Sequence, residues 1–406
     1  MTVVWAERQA GRLTGMKASE IRELLKVLER PEIISFAGGI PDPDLFPHAE
    51  LLAAYDRVMQ SNSLRSVALQ YSVSEGYTPL REWICDTMNQ RHDLGATPDN
   101  VLITSGSQQA LDFIGKLLIN PGDLVAVSRP TYLGALQAFA PYEPRYVSVA
   151  MDEDGVIPES LEEAFRQNPK FFYLVPDFQN PNGLTLSLPR RLAVVELAAR
   201  YGIPIIEDAA YTELRYDGEP LPPLIAIDAR RAAAGAGYRP ATVLYAGTFS
   251  KTVAPALRVG WLTGPAEVVN KLVLMKQAGD LHSSTINQIV LNDVVRAIYP
   301  ELTARLRAAY RVRRDAMLAA LGRWFPPGVR WTRPAGGLFV WLELPDGIDG
   351  TQLLERAIGE VNVAFVPGAA FHADRSGTNT CRLSFSMAGP ETIDDGIRRL
   401  STLLPR

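Results

Sequence analysis

The sequence predicts an α/β fold built around a large, mostly parallel sheet. Short apolar runs rich in Val and Ile recur through the middle of the chain, and segments with helical periodicity lie between several of them. Pro and Gly stand near the ends of these segments, where helices begin and end. Strands that alternate with helices are typical of a parallel sheet whose two faces are covered by helices.

Six apolar runs are predicted to be buried strands, because they lack the polar alternation of a half-exposed strand. They cover residues 101–106, 123–128, 171–177, 203–208, 242–250 and 258–264. The segment SQQALDFIGKLLI carries an apolar stripe that indicates a helix. The segment PRRLAVVELAARYG runs from Pro189 to Gly202, which suits a helix that begins at a proline and ends at a glycine.

The two flanks of the chain have a different pattern. Residues 19–28 and residues 300–321 are both predicted to be amphipathic helices. The later segments GGLFVWLEL and CRLSFSM are predicted to be strands. We therefore expect an N-terminal arm over residues 1–45 that joins a small α+β domain over residues 296–406, and a large domain over residues 46–295 between them.

Composition argues against several classes of protein. The net charge is -4 and no block of like charges occurs, so neither a nucleic-acid surface nor an anionic membrane surface is indicated. Cys85 and Cys381 stand far apart and the four histidines lack metal-ligand spacing, so we expect no disulfide framework and no metal site. The chain has no signal-peptide pattern and no apolar run of the ~18 residues that a membrane span needs. We expect a reduced cytoplasmic protein.

Polar residues that could form a ligand site follow several of the predicted strands. Gly106, Ser107 and Gln108 begin a helix directly after a strand, and the free N–H groups of a helix start suit a phosphate. Asp208 ends another strand, and Asn180 lies in the turn DFQNPNG after a third. Ligands of open α/β sheets bind at the carboxyl ends of the strands. Each of these features also occurs where it only caps or ends an element.

Lys251 is the most discriminating residue of the sequence. It follows the predicted strand 242–250 in the stretch YAGTFSKTVAPALRVGW, next to hydroxyl side chains and shortly before Arg258. Burial lowers the pKa of a lysine, and a neutral amine can form a Schiff base with an aldehyde. Thr248, Ser250 and Arg258 would supply donors to a phosphate, and an aspartate at another strand end could hold a pyridine nitrogen protonated. This combination matches the requirements of pyridoxal 5'-phosphate.

The chain resembles the fold type I pyridoxal phosphate aminotransferases of class I and II over almost its whole length. Within that family it is most similar to the 2-aminoadipate and kynurenine aminotransferase subgroup. The resemblance rests on the segments IISFAGGIPDPDLFP, LQYSVSEGYTPLRE, SGSQQALD, RPTYLGALQAF, DFQNPNG, EDAAYTEL, TFSKTVAPALRVG, RPAGGLFVWLELP, VAFVPGAAF and CRLSFSM, which occur in this order. It implies a seven-stranded type of sheet and a homodimer. It also implies transamination between an L-amino acid and a 2-oxo acid, with glutamate and 2-oxoglutarate as the common pair.

The resemblance also implies a role for each candidate site residue. Lys251 would carry the cofactor as a Schiff base and move the Cα proton, while Asp208 would bind the pyridine nitrogen. Asn180 and Tyr211 would bind the phenolic oxygen of the ring, and Arg382 would bind the α-carboxylate of the substrate. Tyr132 would stack on the ring, and Tyr71 would contact the phosphate of the neighbouring subunit. Gly38 and Gly39 would let the backbone approach the substrate closely. The residues implied to bind the phosphate are Gly106, Ser107, Gln108, Thr248, Ser250 and Arg258.

Substrate choice is expected to depend on the segment GRLTGMKASEIRELLK. This segment resembles the substrate-covering helix of the 2-aminoadipate enzymes, and Ser19 and Arg22 lie on the same face of it. We predict that they bind a side-chain carboxylate such as that of glutamate; the alternative is that Arg22 is a solvated surface residue. The chain departs from the family pattern at Asn182 in NPNG and at Ala256 in PALR, where Thr and Gly are usual. These departures leave room for altered substrate choice or altered chemistry.

Two alternatives remain open from the sequence. The first is an enzyme of the same fold that catalyses another reaction at Cα or Cβ, such as decarboxylation, racemisation, elimination or a tailoring reaction of a biosynthetic pathway. The second is an aminotransferase-like regulatory protein. We disfavour the regulator, because only an amphipathic segment precedes Ile34 and because a basic patch is missing.

Overall fold

The computed structural model describes residues 2–16, 30–231 and 237–405. The α-helices within these ranges are α1 (His48–Gln60), α2 (Asn62–Ala68), α3 (Thr78–His92), α4 (Ser107–Leu118), α5 (Leu133–Phe139), α6 (Pro158–Arg166), α7 (Leu188–Tyr201), α8 (Leu224–Arg231), α9 (Ala266–Gly279), α10 (Thr285–Trp324), α11 (Gly350–Val361) and α12 (Pro390–Ser401). The strands are β1 (Ile34–Ser35), β2 (Val101–Thr104), β3 (Leu124–Arg129), β4 (Arg145–Asp152), β5 (Gly155–Val156), β6 (Phe172–Leu174), β7 (Ile205–Asp208), β8 (Val243–Thr248), β9 (Gly260–Thr263), β10 (Arg330–Trp331), β11 (Phe339–Glu343), β12 (Val363–Ala364), β13 (Val366–Pro367) and β14 (Thr380–Ser384). The fold belongs to the predicted α/β class.

The largest sheet has the strand order β2-β9-β8-β7-β6-β3-β4-β5. Strands β8, β7, β6, β3 and β4 run parallel, while β9 is antiparallel to both of its neighbours. Because β9 is reversed between β2 and β8, β2 points the same way as the parallel strands. The predicted seven-stranded type of sheet is therefore present, and the short strand β5 extends its edge as an eighth. The carboxyl ends of β2, β8, β7, β6 and β3 meet at one edge, together with the start of β9.

The middle strands are apolar because helices cover both faces of the sheet. Ile205 and Ile206 of β7 are fully buried, and so is the stripe of α4 that includes Leu111. Helix α7 ends, as predicted, at Gly202, whose φ of 66° lies in the left-handed region. A glycine at this position closes the helix without the steric cost that a Cβ would add.

A second, smaller sheet lies in the later part of the chain. It is antiparallel, with the order β10-β11-β14-β13, and it contains the predicted strands GGLFVWLEL and CRLSFSM as β11 and β14. Strand β1 forms a parallel pair with β12, in which Ile34 lies opposite Val363. The amide of Phe36 continues this pairing by donating to the carbonyl of Ala364 at 2.7 Å. The pairing carries the segment that follows β1 towards the edge of the large sheet.

Helix α10 begins earlier than predicted. It starts at Thr285 instead of residue 300 and contains Pro300 in its interior. The sequence favours a start at Pro300 because proline suits the first turn of a helix. The preceding turns bury apolar residues such as Val290 and Val294, and the helix packs against α1 and α3. This packing outweighs the backbone hydrogen bond that proline removes.

The same helix crosses the position between residues 295 and 296 at which we expected the large and small domains to meet. The domain bounds stay a prediction. Across the described ranges, no helix combines the length and the apolar character that crossing a bilayer would require.

Candidate active site

The predicted site residues gather at the edge where the parallel strands of the large sheet end. Asp208 is the last residue of β7, and Lys251 follows β8. Asn180 lies in the turn after β6, Tyr132 follows β3, and Gly106 follows β2. The strand order brings residues from five distant parts of the chain to one place, as expected for an α/β ligand site.

Lys251 presents its amine to this edge from a partly buried position. Its Nζ donates to the carbonyl of Gly39 at 3.0 Å. Removal from water, reinforced by the charges of Arg382 and Arg258, lowers its pKa to about 8, against the opposing attraction of Asp208. About half of the amine is therefore neutral at a pH of about 8, and the neutral amine is the form that reacts as a nucleophile or a base.

Asp208 is a buried carboxylate, and only one of its two oxygens has a hydrogen-bond partner among the described side chains. Its side chain is only 2% exposed, and the hydroxyl of Tyr173 donates to Oδ2 at 2.8 Å. Oδ1 is buried without a hydrogen-bond partner among the described residues. Burial raises the pKa of Asp208 to about 6, although Tyr173, a backbone amide and Lys251 oppose the rise. A buried acceptor without a donor is costly, so Oδ1 marks a place for a ligand N–H group.

The start of α4 forms an anion site against Arg258. Gly106 has a φ of 79°, and a Cβ on it would lie 2.5 Å from Nη2 of Arg258. A Cβ on Gly260 would lie 2.9 Å from the amide nitrogen of Ser107. The two glycines therefore allow the arginine and the free N–H groups of the helix start to face one small space. Nη2 of Arg258 also donates to the carbonyl of Ser105 at 3.2 Å, which fixes its direction.

Hydroxyl groups line the next turn of this anion site. Oγ1 of Thr248 donates to Oγ of Ser250 at 3.0 Å and accepts the amide of Ser250 at 3.1 Å. Gln108 is exposed, and its side-chain amide donates to the carbonyl of Gly134 at 2.8 Å. The structure thus directs the Gln108 side chain towards α5 and leaves the backbone of the helix start towards the anion site.

Arg382 is a buried guanidinium held by three segments of the chain. It lies on β14, is 1% exposed, and donates from Nη1 to Oδ1 of Asn180 at 2.7 Å and from Nη2 to the carbonyl of Ala37 at 2.5 Å. The rings of Phe339 and Phe371 lie 4.4 and 5.0 Å from its central carbon. Burial lowers its pKa to about 10, so the group remains charged at neutral pH. It is therefore placed to bind a carboxylate.

The side chains of Asn180 and Tyr211 are hydrogen-bonded to each other. Nδ2 of Asn180 donates to the hydroxyl of Tyr211 at 3.4 Å, and the Tyr211 ring meets Phe339 edge to face at 5.7 Å between centroids. Burial raises the pKa of Tyr211, so the phenol keeps its proton as a donor. Burial also raises the pKa of Tyr132 to about 12, so its phenol is neutral at physiological pH. Tyr132 follows the carboxyl end of β3.

The remaining predicted residues occupy distinct positions. A Cβ on Gly39 would lie 2.5 Å from Cζ of Phe339, so only glycine lets this backbone pass, and the carbonyl of Gly38 accepts Oγ of Ser386 at 3.5 Å. Tyr71 is 79% exposed and meets the His282 ring at 6.0 Å between centroids. Among the described residues, no hydrogen bond joins its side chain to a residue of the predicted site. Ser19 and Arg22 lie outside the described residues.

The sequence did not single out Tyr173 or the two aromatic neighbours of Arg382. Tyr173 stands in the apolar run FFYLVPD, which indicates a core strand. The available signal was its hydroxyl, since a tyrosine buried in a core strand needs a hydrogen-bond partner. Phe339 and Phe371 stand in motifs of the resemblance, but nothing local to them indicates a guanidinium.

Comparisons with known proteins agree with this arrangement. The family model for class I and II aminotransferases matches residues 33–400. The aromatic-amino-acid aminotransferase 1 of Thermococcus litoralis is 43% identical over 95% of this chain and 91% of its own length. The 2-aminoadipate transaminase of Thermus thermophilus is 43% identical over 98% of this chain and 97% of its own length.

Solved structures are similar over the same extent. The α-aminoadipate aminotransferase of Thermus thermophilus, complexed with N-(5'-phosphopyridoxyl)-L-leucine, superposes with a TM-score of 0.90 at 42% identity over 99% of this chain and 98% of its own. The kynurenine aminotransferase of Pyrococcus horikoshii gives a TM-score of 0.90 at 42% identity over 98% of this chain and 97% of its own.

Proposed function

The chain belongs to the class I and II aminotransferases, enzymes that move an amino group between an amino acid and a 2-oxo acid, and we propose that it does so with pyridoxal 5'-phosphate. The observation that carries this proposal is the presence of the Lys251 amine and the unpartnered Oδ1 of Asp208 at the same sheet edge. The cofactor needs an amine, an acceptor for its pyridine nitrogen and a phosphate site, and the described residues supply all of them.

The site offers residues for each part of the cofactor. Oδ1 of Asp208 would accept the ring N–H, because it lacks a donor among the described residues. The start of α4 with Gly106, Ser107 and Gln108, together with Thr248, Ser250 and Arg258, would hold the phosphate. The hydroxyl of Tyr211 and the amide of Asn180 would hold the phenolic oxygen. Tyr132 would pack on the ring face.

Bound pyridoxal phosphate supplies an electron sink for the pair left at Cα when its proton is removed. The protein has to place the substrate and move that proton. Arg382 would bind the α-carboxylate with the guanidinium that Asn180 and Ala37 hold in place. Nζ of Lys251 would then take the Cα proton as a base and return it as an acid, which its pKa of about 8 allows in both directions.

The substrate is proposed to be a 2-aminoadipate-, aromatic- or branched-type amino acid, with glutamate and 2-oxoglutarate as the common pair. Support comes from the relatives, which are named for aromatic amino acids, 2-aminoadipate and kynurenine. Gly38 and Gly39 would let the backbone lie against the substrate. Ser19 and Arg22 stay sequence-based proposals for the side-chain carboxylate. Arg22→Ala should raise KM for glutamate much more than KM for leucine, and Arg12→Ala, exposed in the same arm, is the control.

A homodimer with shared active sites is part of the proposal. Tyr71 lies on a surface that also exposes Leu69 and Val73, at 64% and 55%. Exposed apolar side chains that cluster in this way favour contact with another protein surface. Tyr71, which is 79% exposed, would then reach the phosphate of the neighbouring subunit. The cytoplasmic location stays a prediction of the sequence.

The two alternatives are not favoured, because the two relatives that match nearly the full chain at 43% identity are named as aminotransferases. A spectroscopic half-reaction screen tests the choice directly. The purified enzyme is mixed with single amino acids, its visible absorbance is followed, and the products are identified by mass. We expect loss of the absorbance with one 2-oxo acid formed per site. Carbon dioxide, a racemised amino acid or an eliminated side chain as the main product would overturn the proposal.

A further inference from the structure

A second lysine lies just behind the anion site. Lys276 belongs to α9, and its side chain is 0% exposed. Its Nζ donates to Oε1 of Gln109 at 3.0 Å, to Oγ of Ser283 at 2.9 Å, and to the two carboxylate oxygens of Asp280 at 3.0 and 3.1 Å. These acceptors use all three protons of the ammonium group. A buried charge with this many partners has a defined position.

The partners of Lys276 all lead to the turn before α4. Oε1 of Gln109, which accepts from Lys276, also accepts the amide of Ser105 at 2.8 Å. Oγ of Ser105 donates to Oδ2 of Asp280 at 3.0 Å and lies 3.0 Å from Oγ of Ser283. The carbonyl of Ser105 accepts from Arg258. Every polar atom of Ser105 is therefore held, either by this cluster or by the arginine of the anion site.

We propose that Lys276 is a positioning residue for phosphate binding, although it does not line the anion site itself. This inference rests on the proposed use of pyridoxal phosphate. Lys276 fixes the Ser105 turn, which sets the direction of the free N–H group at Ser107, since the N–H of Gly106 already donates to the carbonyl of Thr104 at 2.8 Å. It also neutralises Asp280. Without the ammonium group, this partly exposed carboxylate would keep its hydrogen bonds from Gln109 and Ser105 but lose its cation, one hydrogen bond away from the turn that would receive a phosphate dianion.

A purely structural role for Lys276 makes a different prediction from a role in phosphate positioning. If the lysine only anchors the end of α9, its loss weakens the binding of every ligand of the pocket alike. If it positions the phosphate turn, its loss weakens only ligands that carry a phosphate. Pyridoxal and pyridoxal phosphate share the ring and the aldehyde and differ in the phosphate, so the pair separates the two roles.

The experiment compares the apoenzyme with Lys276→Met and with Lys271→Met, a matched change at an exposed lysine of the same helix. Titration gives the Kd of each protein for pyridoxal phosphate and for pyridoxal. We expect Lys276→Met to bind pyridoxal phosphate at least about tenfold more weakly and pyridoxal within about twofold of the unchanged protein. Lys271→Met should change neither value. Equal weakening for both ligands, or none for either, would overturn the inference.

Two further variants keep the test decisive if Lys276→Met does not fold. Ser105→Ala removes one hydroxyl and leaves the ion pair, so it should reduce the affinity for pyridoxal phosphate in the same selective way but less. Combining Lys276→Met with Asp280→Asn removes both charges and should still lose affinity for the phosphate ligand alone. If neither variant shows selectivity, the inference is wrong. If the unchanged apoenzyme does not bind pyridoxal phosphate, the proposed function fails instead.

Discussion

Lys251 and Lys276 are both withdrawn from water, yet their surroundings differ in nearly every respect. Nζ of Lys276 meets a carboxylate, an amide oxygen and a hydroxyl, all within 3.1 Å. Nζ of Lys251 donates to one carbonyl, that of Gly39. The charges that act most strongly on Lys251 are two arginines, Arg382 and Arg258, which oppose its protonation.

The difference shows how one fold separates a structural amine from a reactive one. An ammonium group whose three protons are all donated to protein acceptors has no lone pair to offer and serves as a fixed charge, although burial lowers the pKa of Lys276 against the attraction of Asp280. An amine with one neutral partner and two cations nearby can lose its proton near physiological pH and regain it. The position of a lysine in the sequence does not reveal this difference, but the set of its partners does.

The largest effect should come from removing the reactive amine. Lys251→Ala should reduce kcat for transamination by at least about 10³-fold, because the proton at Cα loses both its base and its acid. Single-turnover absorbance measurements with the best amino acid check this. Lys271→Ala is the control and should leave the rate unchanged. Near-normal turnover of Lys251→Ala would show that the Lys251 amine does not move the Cα proton.

Removing the neighbouring cation should have the next largest effect and should show how far charge, beside burial, distinguishes Lys251 from Lys276. Arg382→Leu should raise KM for amino acids by about 10²-fold, because a charged partner of the carboxylate is lost. It should also raise the pKa of Lys251, since Arg382 is the largest effect after burial that lowers it. The measurement is the KM together with the pH dependence of Lys251 labelling. An unchanged midpoint of labelling would show that burial alone sets the pKa.

The two lysines should also differ in chemical reactivity in the apoenzyme. Below its pKa of about 8 Lys251 is protonated and unreactive, so its acetylation rate should rise as the pH passes through about 7–9 and then level off. At pH 8 it should react about tenfold faster than the exposed Lys271, whereas Lys276 should not react while the protein is folded. Peptide mass spectrometry after a short pulse of acetic anhydride gives the three rates. Labelling of Lys276 at the rate of Lys271 would contradict its burial.

The smallest expected signal comes from mixing subunits. If Tyr71 acts on the neighbouring site, Tyr71→Phe and Lys251→Ala subunits should each be weakly active alone. After subunit exchange, about a quarter of the sites should carry both native residues and regain activity, because half of the dimers are mixed and each mixed dimer has one complete site. Activity and sedimentation are measured before and after exchange. No gain despite mixed dimers would place Tyr71 outside the neighbouring site.

The sequence was informative where chemistry demands a residue type. Lys251, Asp208 and Arg258 could be predicted from the sequence, because an amine, a carboxylate and an arginine that follow one another near strand ends match one cofactor together, although each alone is common. Tyr173 could not be paired with Asp208, since that contact depends on the register between β6 and β7. The bond from Arg382 to Asn180 likewise joins segments whose proximity only the fold creates.

Lys276 is another residue whose partners the sequence does not reveal. Its acceptors come from α4, from the end of α9 and from the segment before α10, so the sequence around it looks like an ordinary helix surface. The sequence does not predict the start of α10 at Thr285, because Pro300 suits the first turn of a helix. Packing of the helix against α1 and α3 sets the earlier start instead. Local sequence patterns predict helices, strands and candidate reactive residues. The role of a residue such as Lys276 depends on the partners that the tertiary fold brings to it.

The pairing of β1 with β12 has a consequence for how the enzyme is made. Residues 34–37, which supply the Ala37 carbonyl to Arg382, leave the ribosome long before residues 363–384 exist. At roughly 5–20 residues per second the delay is tens of seconds. The strands that carry Asp208 and Lys251 are complete well within that interval. The contact between Arg382 and Ala37 can therefore form only after β14 has been translated, later than the strands that carry Asp208 and Lys251.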